Sequence, residues 1–263
     1  MNKAFCLSFS FVAMLGLFST AAYSETLAER KLPSPLEIEA GFTSEQLTNN
    51  YDDWSSNYLN LAKKLDKGKT LYGSLRETNR FNLKDSEAKL GYYHPLDKKW
   101  TVHLEGANSS THRVLPKWTL FGGLIRGFAG GWVLDLGFRK TEYNNSRINL
   151  GVATLERYFG NFHAAYSFYQ SNLEGNGSAQ AHGFRLNYFY TDTSRVGAAF
   201  STGSELEFLG PSLGVLRSDV TSISLSGRHA ISPKWGVSYS YGYHEQGKSY
   251  IKRGFQVGIR YLF

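Results

Sequence analysis

The stretch Trp235-Gly-Val-Ser-Tyr-Ser-Tyr-Gly-Tyr243 decides the fold, because its residues alternate strictly between two kinds of side chain. Every odd-numbered residue is aromatic or aliphatic, whereas every even-numbered residue is glycine or serine. Successive side chains of a β-strand point to opposite faces, so this alternation predicts a strand with one apolar and one polar face.

The same alternation recurs along the chain, and no window of comparable length shows a sustained 3.6-residue period. These patterns predict an all-β chain. We count about fourteen segments, each with roughly the 9–11 residues that a tilted strand needs to cross a bilayer. Twelve strands is the alternative, because Leu36 to Leu65 alternates least cleanly. The predicted strands start near Leu36, Trp54, Lys69, Asp85, Lys99, Trp118, Trp132, Ser146, Asn161, Ala179, Arg195, Arg217, Lys234 and Tyr250.

The connections between these segments alternate in length. Short turns are predicted at residues 66–68, 95–98, 129–131, 160–161, 192–194 and 232–233. Longer polar connections are predicted at residues 44–53, 79–84, 108–117, 172–178, 203–216 and 245–249, with Asn144-Asn145 as the one short member of this set. A transmembrane antiparallel up-and-down β-barrel explains the two faces and the loops, because it turns apolar residues to lipid and pairs every backbone amide by closure. A secreted β-protein is the alternative, but it gives no reason for long loops to share one end.

Aromatic residues mark one edge of the predicted barrel. Seven of them lie beside the short turns, where strands would enter or leave the membrane: Trp100, Trp132, Trp235, Tyr93, Tyr158, Phe159 and Tyr190. Amphipathic rings favour the boundary between lipid and water, so we expect these seven at the periplasmic boundary.

The N-terminus has the composition of a secretory signal peptide. Lys3 is followed by an apolar stretch from Ala4 to Phe18 and by the small-x-small site Ala22-Tyr-Ser24. We therefore predict a signal peptide at residues 1–24, a short periplasmic segment at residues 25–35 and the barrel at residues 36–263. A short membrane anchor is the alternative, although the apolar stretch is shorter than the ~20 residues that a spanning helix needs.

Composition excludes several other classes of protein. Hydrophobic residues make up 41% and aromatic residues 15% of the 263 residues, which excludes a disordered chain. The single cysteine, Cys6, lies in the predicted signal peptide, so a disulfide framework is excluded as well. The formal net charge of +7 is spread along the chain and predicts no nucleic-acid partner.

The last strand and three other motifs resemble a known family. Such a terminal strand resembles the signal that the barrel-assembly machinery reads, with alternating apolar residues at Phe255, Val257, Ile259, Tyr261 and Phe263. The chain resembles the YaiO family of outer-membrane β-barrels in Tyr92-Tyr-His-Pro95 with the Trp100 strand, the hairpin 121–132, Ser232-Pro-Lys-Trp-Gly236 and residues 254–263. The resemblance implies the outer membrane of a Gram-negative bacterium and no established enzymatic chemistry. Some relatives carry a repeat-like or sugar-polymer-related segment before the barrel, for which Glu25 to Pro35 is too short.

No catalytic, metal or cofactor site is predicted. The seven histidines are dispersed, and none has the i, i+4 spacing of a helical zinc site. His103 and Glu105 lie two apart on one strand and are the best local acid–base pair, either for proton transfer or as polar filling of a wet interior. A lipid-modifying enzyme is the weakest hypothesis, because the chain lacks a Gly-x-Ser-x-Gly motif.

The predicted lumen face carries the residues that would govern solute passage. Alternation assigns to it Arg76, Lys89, His103, Glu105, Asp135, Arg139, Arg185, Arg228, Lys252 and Arg260, together with Glu37 and Glu39. Seven basic against four acidic groups predict a mildly basic lumen that favours anions. The alternative is that these groups pair across the interior and, with a folded-in loop such as 203–216, block it.

Three functions follow as hypotheses. The first is a passive channel or transport component for anionic or sugar-containing solutes. The second is a non-conducting barrel that acts through its outer loops as an envelope or surface-polymer interaction module. The third is a lipid-modifying enzyme. The expected partners are outer-membrane lipid, lipopolysaccharide and the barrel-assembly machinery.

Overall fold

The computed structural model describes residues 36–210 and 214–263, and these residues form fourteen β-strands. Every strand starts within three residues of its predicted start. The strands are β1 Leu36–Leu47, β2 Trp54–Lys64, β3 Thr70–Arg80, β4 Leu83–Pro95, β5 Trp100–Ser109, β6 Trp118–Gly127, β7 Trp132–Glu142, β8 Arg147–Phe159, β9 Phe162–Leu173, β10 Gly177–Thr191, β11 Ser194–Gly210, β12 Gly214–Ala230, β13 Trp235–Gln246 and β14 Tyr250–Leu262.

The strands form a closed barrel in which each pairs antiparallel with its neighbours in sequence. The first and last strands close the ring, with Glu37 opposite Leu262 and Leu47 opposite Lys252. Closure leaves no sheet edge, so the backbone groups of every strand have partners on both sides. The predicted antiparallel barrel of about fourteen strands is confirmed. The predicted signal peptide (1–24) and the segment 25–35 lie outside the described residues.

The pairing register gives the barrel wall two chemically different faces. Large apolar side chains are exposed on the outside, among them Leu75, Leu90, Phe138, Leu225 and Ile259. The inside is mainly polar and contains a small apolar cluster of Tyr93, Ile125 and Val133. In the described part of the chain, no helix is long and apolar enough to cross a membrane.

Two of the seven aromatic residues expected at the membrane boundary face inward instead. Tyr93 is buried and stacks on His103, and Tyr158 packs against His163. Their sequence neighbours Tyr92 and Phe159 take the outward positions, because adjacent residues of a strand point to opposite faces.

The connections differ less in length than the sequence predicts. Strands continue through most of the expected long loop 203–216, since β11 and β12 stay paired from Arg195 opposite Arg228 out to Gly210 opposite Gly214. The expected loop 79–84 is a two-residue turn, in which Phe81 and Asn82 have positive φ angles of 54° and 60°. Alternation ends before the strands do, because residues that extend beyond the bilayer no longer face lipid.

Candidate functional site: the barrel interior

The pairing register places all ten predicted lumen residues on one face of the wall. Contacts between non-neighbouring strands identify that face as the interior. Arg228 of β12 pairs with Glu37 of β1, although β13 and β14 lie between them along the wall. Arg139 of β7 similarly reaches Glu105 of β5, with a distance of 3.7 Å between Nη2 and Oε1.

A cluster at mid-height is centred on Glu105. The Tyr72 hydroxyl donates to Glu105 Oε2 at 2.7 Å and lies 2.7 Å from His103 Nε2. Because the one hydroxyl proton goes to the carboxylate, His103 Nε2 donates its own proton to Tyr72. Lys89 Nζ lies 3.5 Å from Glu105 Oε1. The predicted acid–base pair of His103 and Glu105 is thus bridged by a tyrosine that the sequence analysis did not select.

A second cluster near the short turns holds carboxylates against several partners. Glu37 binds Arg228 and also accepts a 3.3 Å hydrogen bond from Arg260 Nη1. Glu39 Oε1 accepts hydrogen bonds from the hydroxyls of Tyr58 at 3.1 Å and Ser238 at 3.0 Å. These contacts tie β1 to β2, β12, β13 and β14, so the cluster also stabilises the closure of the barrel.

A buried chain of hydrogen bonds links three further interior residues. Asn187 Nδ2 donates to His163 Nδ1 at 3.0 Å, and His163 Nε2 donates to Glu156 Oε2 at 2.7 Å. His163 is fully buried. This chain was not predicted, although alternation continued to the ends of β8 and β9 assigns Glu156 and His163 to the lumen face.

The other end of the interior contains a cluster of cations around one tryptophan. The guanidinium carbon of Arg80 lies 4.5 Å from the ring centroid of buried Trp54, and Lys252 Nζ lies 5.0 Å from the same centroid. Lys252 Nζ also pairs with Glu45 Oε1 at 2.8 Å. Asp135 lies near Glu156 rather than in these clusters, and Arg185 lies on the interior face of β10.

The loop 110–117 folds over the rim at this same end. Asp85 lies on the interior face of β4, and its Oδ2 accepts hydrogen bonds from the backbone amides of Val114 at 2.7 Å and Leu115 at 2.8 Å. Both of these loop residues are buried. The Asn144 side chain holds the other side of the loop through the carbonyl of His112, at 2.8 Å. The loop 110–117 is therefore folded inward, whereas residues 203–210 and 214–216 of the segment selected from the sequence continue strands β11 and β12.

No group of three or more side chains that could hold a metal ion occurs among residues 36–210 and 214–263.

The YaiO membrane β-barrel domain matches residues 36–207, which is more than half of the chain. The chain belongs to the YaiO family. The match covers the Trp100 strand and the hairpin 121–132, whereas the motifs at 232–236 and 254–263 lie beyond it.

Solved structures show the same fold as this YaiO barrel. A bacterial polysaccharide outer membrane secretin has a TM-score of 0.55 at 8% identity, over 87% of this chain and 98% of that chain. The CymD monoaromatic hydrocarbon channel has a TM-score of 0.55 at 11% identity, over 87% of each chain. Salmonella typhi OmpF, in a complex with daunomycin, has a TM-score of 0.50 at 10% identity, over 87% of this chain and 97% of that chain. No curated protein sequence matches the chain. Family and fold place it in the outer membrane of a Gram-negative bacterium.

The interior charge of the YaiO barrel differs from the basic excess that the sequence predicts. Within the described strands, the register places ten basic and ten acidic residues on the interior face. The basic residues are Lys64, Arg76, Arg80, Lys89, Arg139, Arg185, Arg195, Arg228, Lys252 and Arg260. The acidic residues are Glu37, Glu39, Glu45, Asp85, Glu87, Glu105, Asp135, Glu156, Glu205 and Glu207. The difference arises because acidic residues are concentrated near strand ends, where the alternation is weakest.

Proposed function

We propose that this barrel is a passive channel for small anionic or sugar-containing solutes. The observation that supports the proposal is the exposure of charged groups at mid-height. The Lys89 side chain is 30% exposed and the Arg139 side chain 21% exposed, although both lie on the interior face of a closed wall. Their accessible surface therefore faces the lumen, which indicates a wet passage between the clusters.

The exposed charge at mid-height supports a preference for anions despite the balanced total. Glu105, the carboxylate between the two cations, is only 11% exposed, so a passing solute meets the ammonium and the guanidinium first. Tyr72 hydrogen-bonds to the same carboxylate and draws it toward the wall. A narrow passage lined by accessible cations raises the local concentration of anions.

Single-channel recording in a planar bilayer tests both the pore and its selectivity. In the K89Q/R139Q variant we expect the ratio of chloride to potassium permeability to fall about fivefold, because the two lost charges contribute roughly 0.5 kcal/mol each in a water-filled site. The matched control is K140Q, which removes a cation from the outer face of β7, the strand that carries Arg139. Absence of unitary currents from the wild-type barrel would refute the channel, and an unchanged ratio would refute the role of the two cations.

The loop 110–117 is expected to set the size of the outer opening. Replacing Asp85 with asparagine removes the charged acceptor and weakens its hydrogen bonds to the backbone amides of Val114 and Leu115. We therefore expect a larger and noisier single-channel conductance. The control is D97N in the turn before β5, where the Asp97 carboxylate accepts backbone hydrogen bonds from Lys99 at 2.6 Å and Trp100 at 2.8 Å. These bonds lower the pKa of Asp97. Equal traces for D85N and wild type would show that the loop does not limit conduction.

The long hairpin of β11 and β12 supports a second candidate function. Each of these strands has 17 residues, which is more than a strand needs to cross a bilayer, so the hairpin extends beyond the rim. We propose as the alternative a non-conducting envelope or surface-polymer interaction module that uses this hairpin. A barrel without unitary currents whose binding to surface polysaccharide is lost on deletion of residues 205–216 would favour it.

We propose no enzymatic role. His103 and Glu105 are occupied by Tyr72 and by the neighbouring cations, which supports polar filling of the wall rather than proton transfer. Mass spectra of membrane lipids that change on expression of the barrel would contradict this proposal.

A further inference from the structure

Two outward-facing arginines near the short turns are each held between two aromatic rings. The guanidinium carbon of Arg126 lies 4.7 Å from the ring centroid of Trp100 and 4.8 Å from that of Phe128. The interior neighbour of this arginine, Ile125, is buried, so the arginine points to the outside of the wall. Both ring contacts are within the range of a cation–π interaction.

The second arginine repeats the same arrangement one hairpin later. Arg157 lies 5.0 Å from the ring centroid of Trp132 and 5.8 Å from that of Phe159. In both hairpins a tryptophan begins the first strand, the arginine is its register partner, and a phenylalanine follows the arginine by two residues. In the hairpin β13–β14 the partner of Trp235 is Tyr261, followed by Phe263, so an aromatic ring replaces the arginine there.

Neither arginine forms an ion pair within the part of the chain that the structure describes, although Arg126 is close enough to Asp97 to lower the pKa of that carboxyl. Among the described residues, the buried Nε of Arg126 has no hydrogen-bond partner. The nearest acid in the adjoining turn is Asp97, whose Oδ1 already accepts two backbone hydrogen bonds. Each site is therefore a preformed cation at the membrane surface with unused hydrogen-bond donors.

We propose that Arg126 and Arg157 are binding sites for anionic phospholipid headgroups of the periplasmic leaflet. The rings restrict each guanidinium, and its planar set of donors matches the oxygens of a phosphodiester. The short turns, the start of β1 and the end of β14 all lie on this side of the barrel, which marks the boundary as periplasmic. Phosphatidylglycerol is favoured over phosphatidylcholine, because its headgroup has no ammonium of its own to neutralise the phosphate.

Native mass spectrometry of the barrel in detergent tests the proposal by counting bound lipid. The probes are phosphatidylglycerol, phosphatidylcholine of the same chain length, and sodium phosphate. We expect phosphatidylglycerol to bind the wild-type barrel and to bind about tenfold more weakly to R126Q/R157Q, because a hydrogen bond to a charged group is lost at each site. The matched control, R147Q, removes an outward arginine at the opposite end that is paired with Glu142 and Glu174, and it should bind lipid normally.

A second variant keeps the test decisive if the double arginine variant assembles poorly. F128L/F159L retains both guanidinium groups but removes one ring from each, and we expect about threefold weaker binding of phosphatidylglycerol. Equal binding of the two phospholipids, or unchanged binding by both variants, would overturn the proposal. Competition by millimolar sodium phosphate that removes all bound phosphatidylglycerol would overturn the assignment to a lipid headgroup.

Discussion

Replacing Leu225 with arginine is expected to lower the free energy of unfolding of the barrel in a bilayer by about 2–4 kcal/mol. Leu225 lies in the middle of β12 and is 58% exposed. Its register partners on the neighbouring strands β11 and β13 are Ala198 and Tyr241. Its exposed surface faces acyl chains, where a guanidinium loses its hydration without gaining a partner. Equilibrium unfolding in guanidinium chloride, with the barrel reconstituted in liposomes, measures the change.

The matched control is S226R, the same substitution one residue along the strand. Ser226 is on the interior face, opposite Ser240 and Gly197, and is half-buried, so water remains accessible to it. We expect a change of less than about 1 kcal/mol for S226R, because a lumen-facing arginine stays hydrated. Equal losses for L225R and S226R would contradict the assignment of the two faces, and a larger loss for S226R would show a packed, dry interior.

Much of the fold is predictable from the sequence because lipid and water impose opposite demands on adjacent residues. The stretch from Trp235 to Tyr243 illustrates this, since its rings face outward and its glycines and serines face the lumen, as the register confirms. A closed barrel then follows from the requirement that every strand have two neighbours in a membrane. Seven of the fourteen strands begin at an aromatic residue, which makes those starts visible in the sequence.

The interior is harder to predict, because contacts across it join strands that are distant in sequence. Nothing in the local pattern indicates that Tyr72 bridges His103 and Glu105, or that Glu37 binds both Arg228 and Arg260. These pairs depend on the register of several strands at once, which alternation along one strand does not specify.

The inward-folded loop is missed for a related reason. A loop's path depends on what it can bind, and Asp85 binds the amides of Val114 and Leu115 although it lies about thirty residues away in sequence. The segment selected from the sequence was 203–216, of which residues 203–210 and 214–216 belong to the extended strands β11 and β12.

Removing one member of the pair of Glu45 and Lys252 is expected to destabilise the barrel by about 3–5 kcal/mol. Lys252 is only 4% exposed, and its Nζ lies 2.8 Å from Glu45 Oε1. The E45Q variant leaves this ammonium without its carboxylate, next to Arg80 on the same tryptophan ring. The pair also joins β1 to β14, so its loss acts at the seam where the barrel closes.

Unfolding of the single variants E45L and K252M and of the double variant E45L/K252M forms the test, beside E45Q. Replacing both partners with apolar residues removes the unpaired charge, so the double variant should be more stable than either single variant. The control is E142Q, which removes an ion pair to Arg147 that is half exposed to solvent and should cost less than about 1 kcal/mol. Additive losses in the double variant would mean that the two side chains act independently, and that water at this end of the lumen already screens Lys252 from its partner.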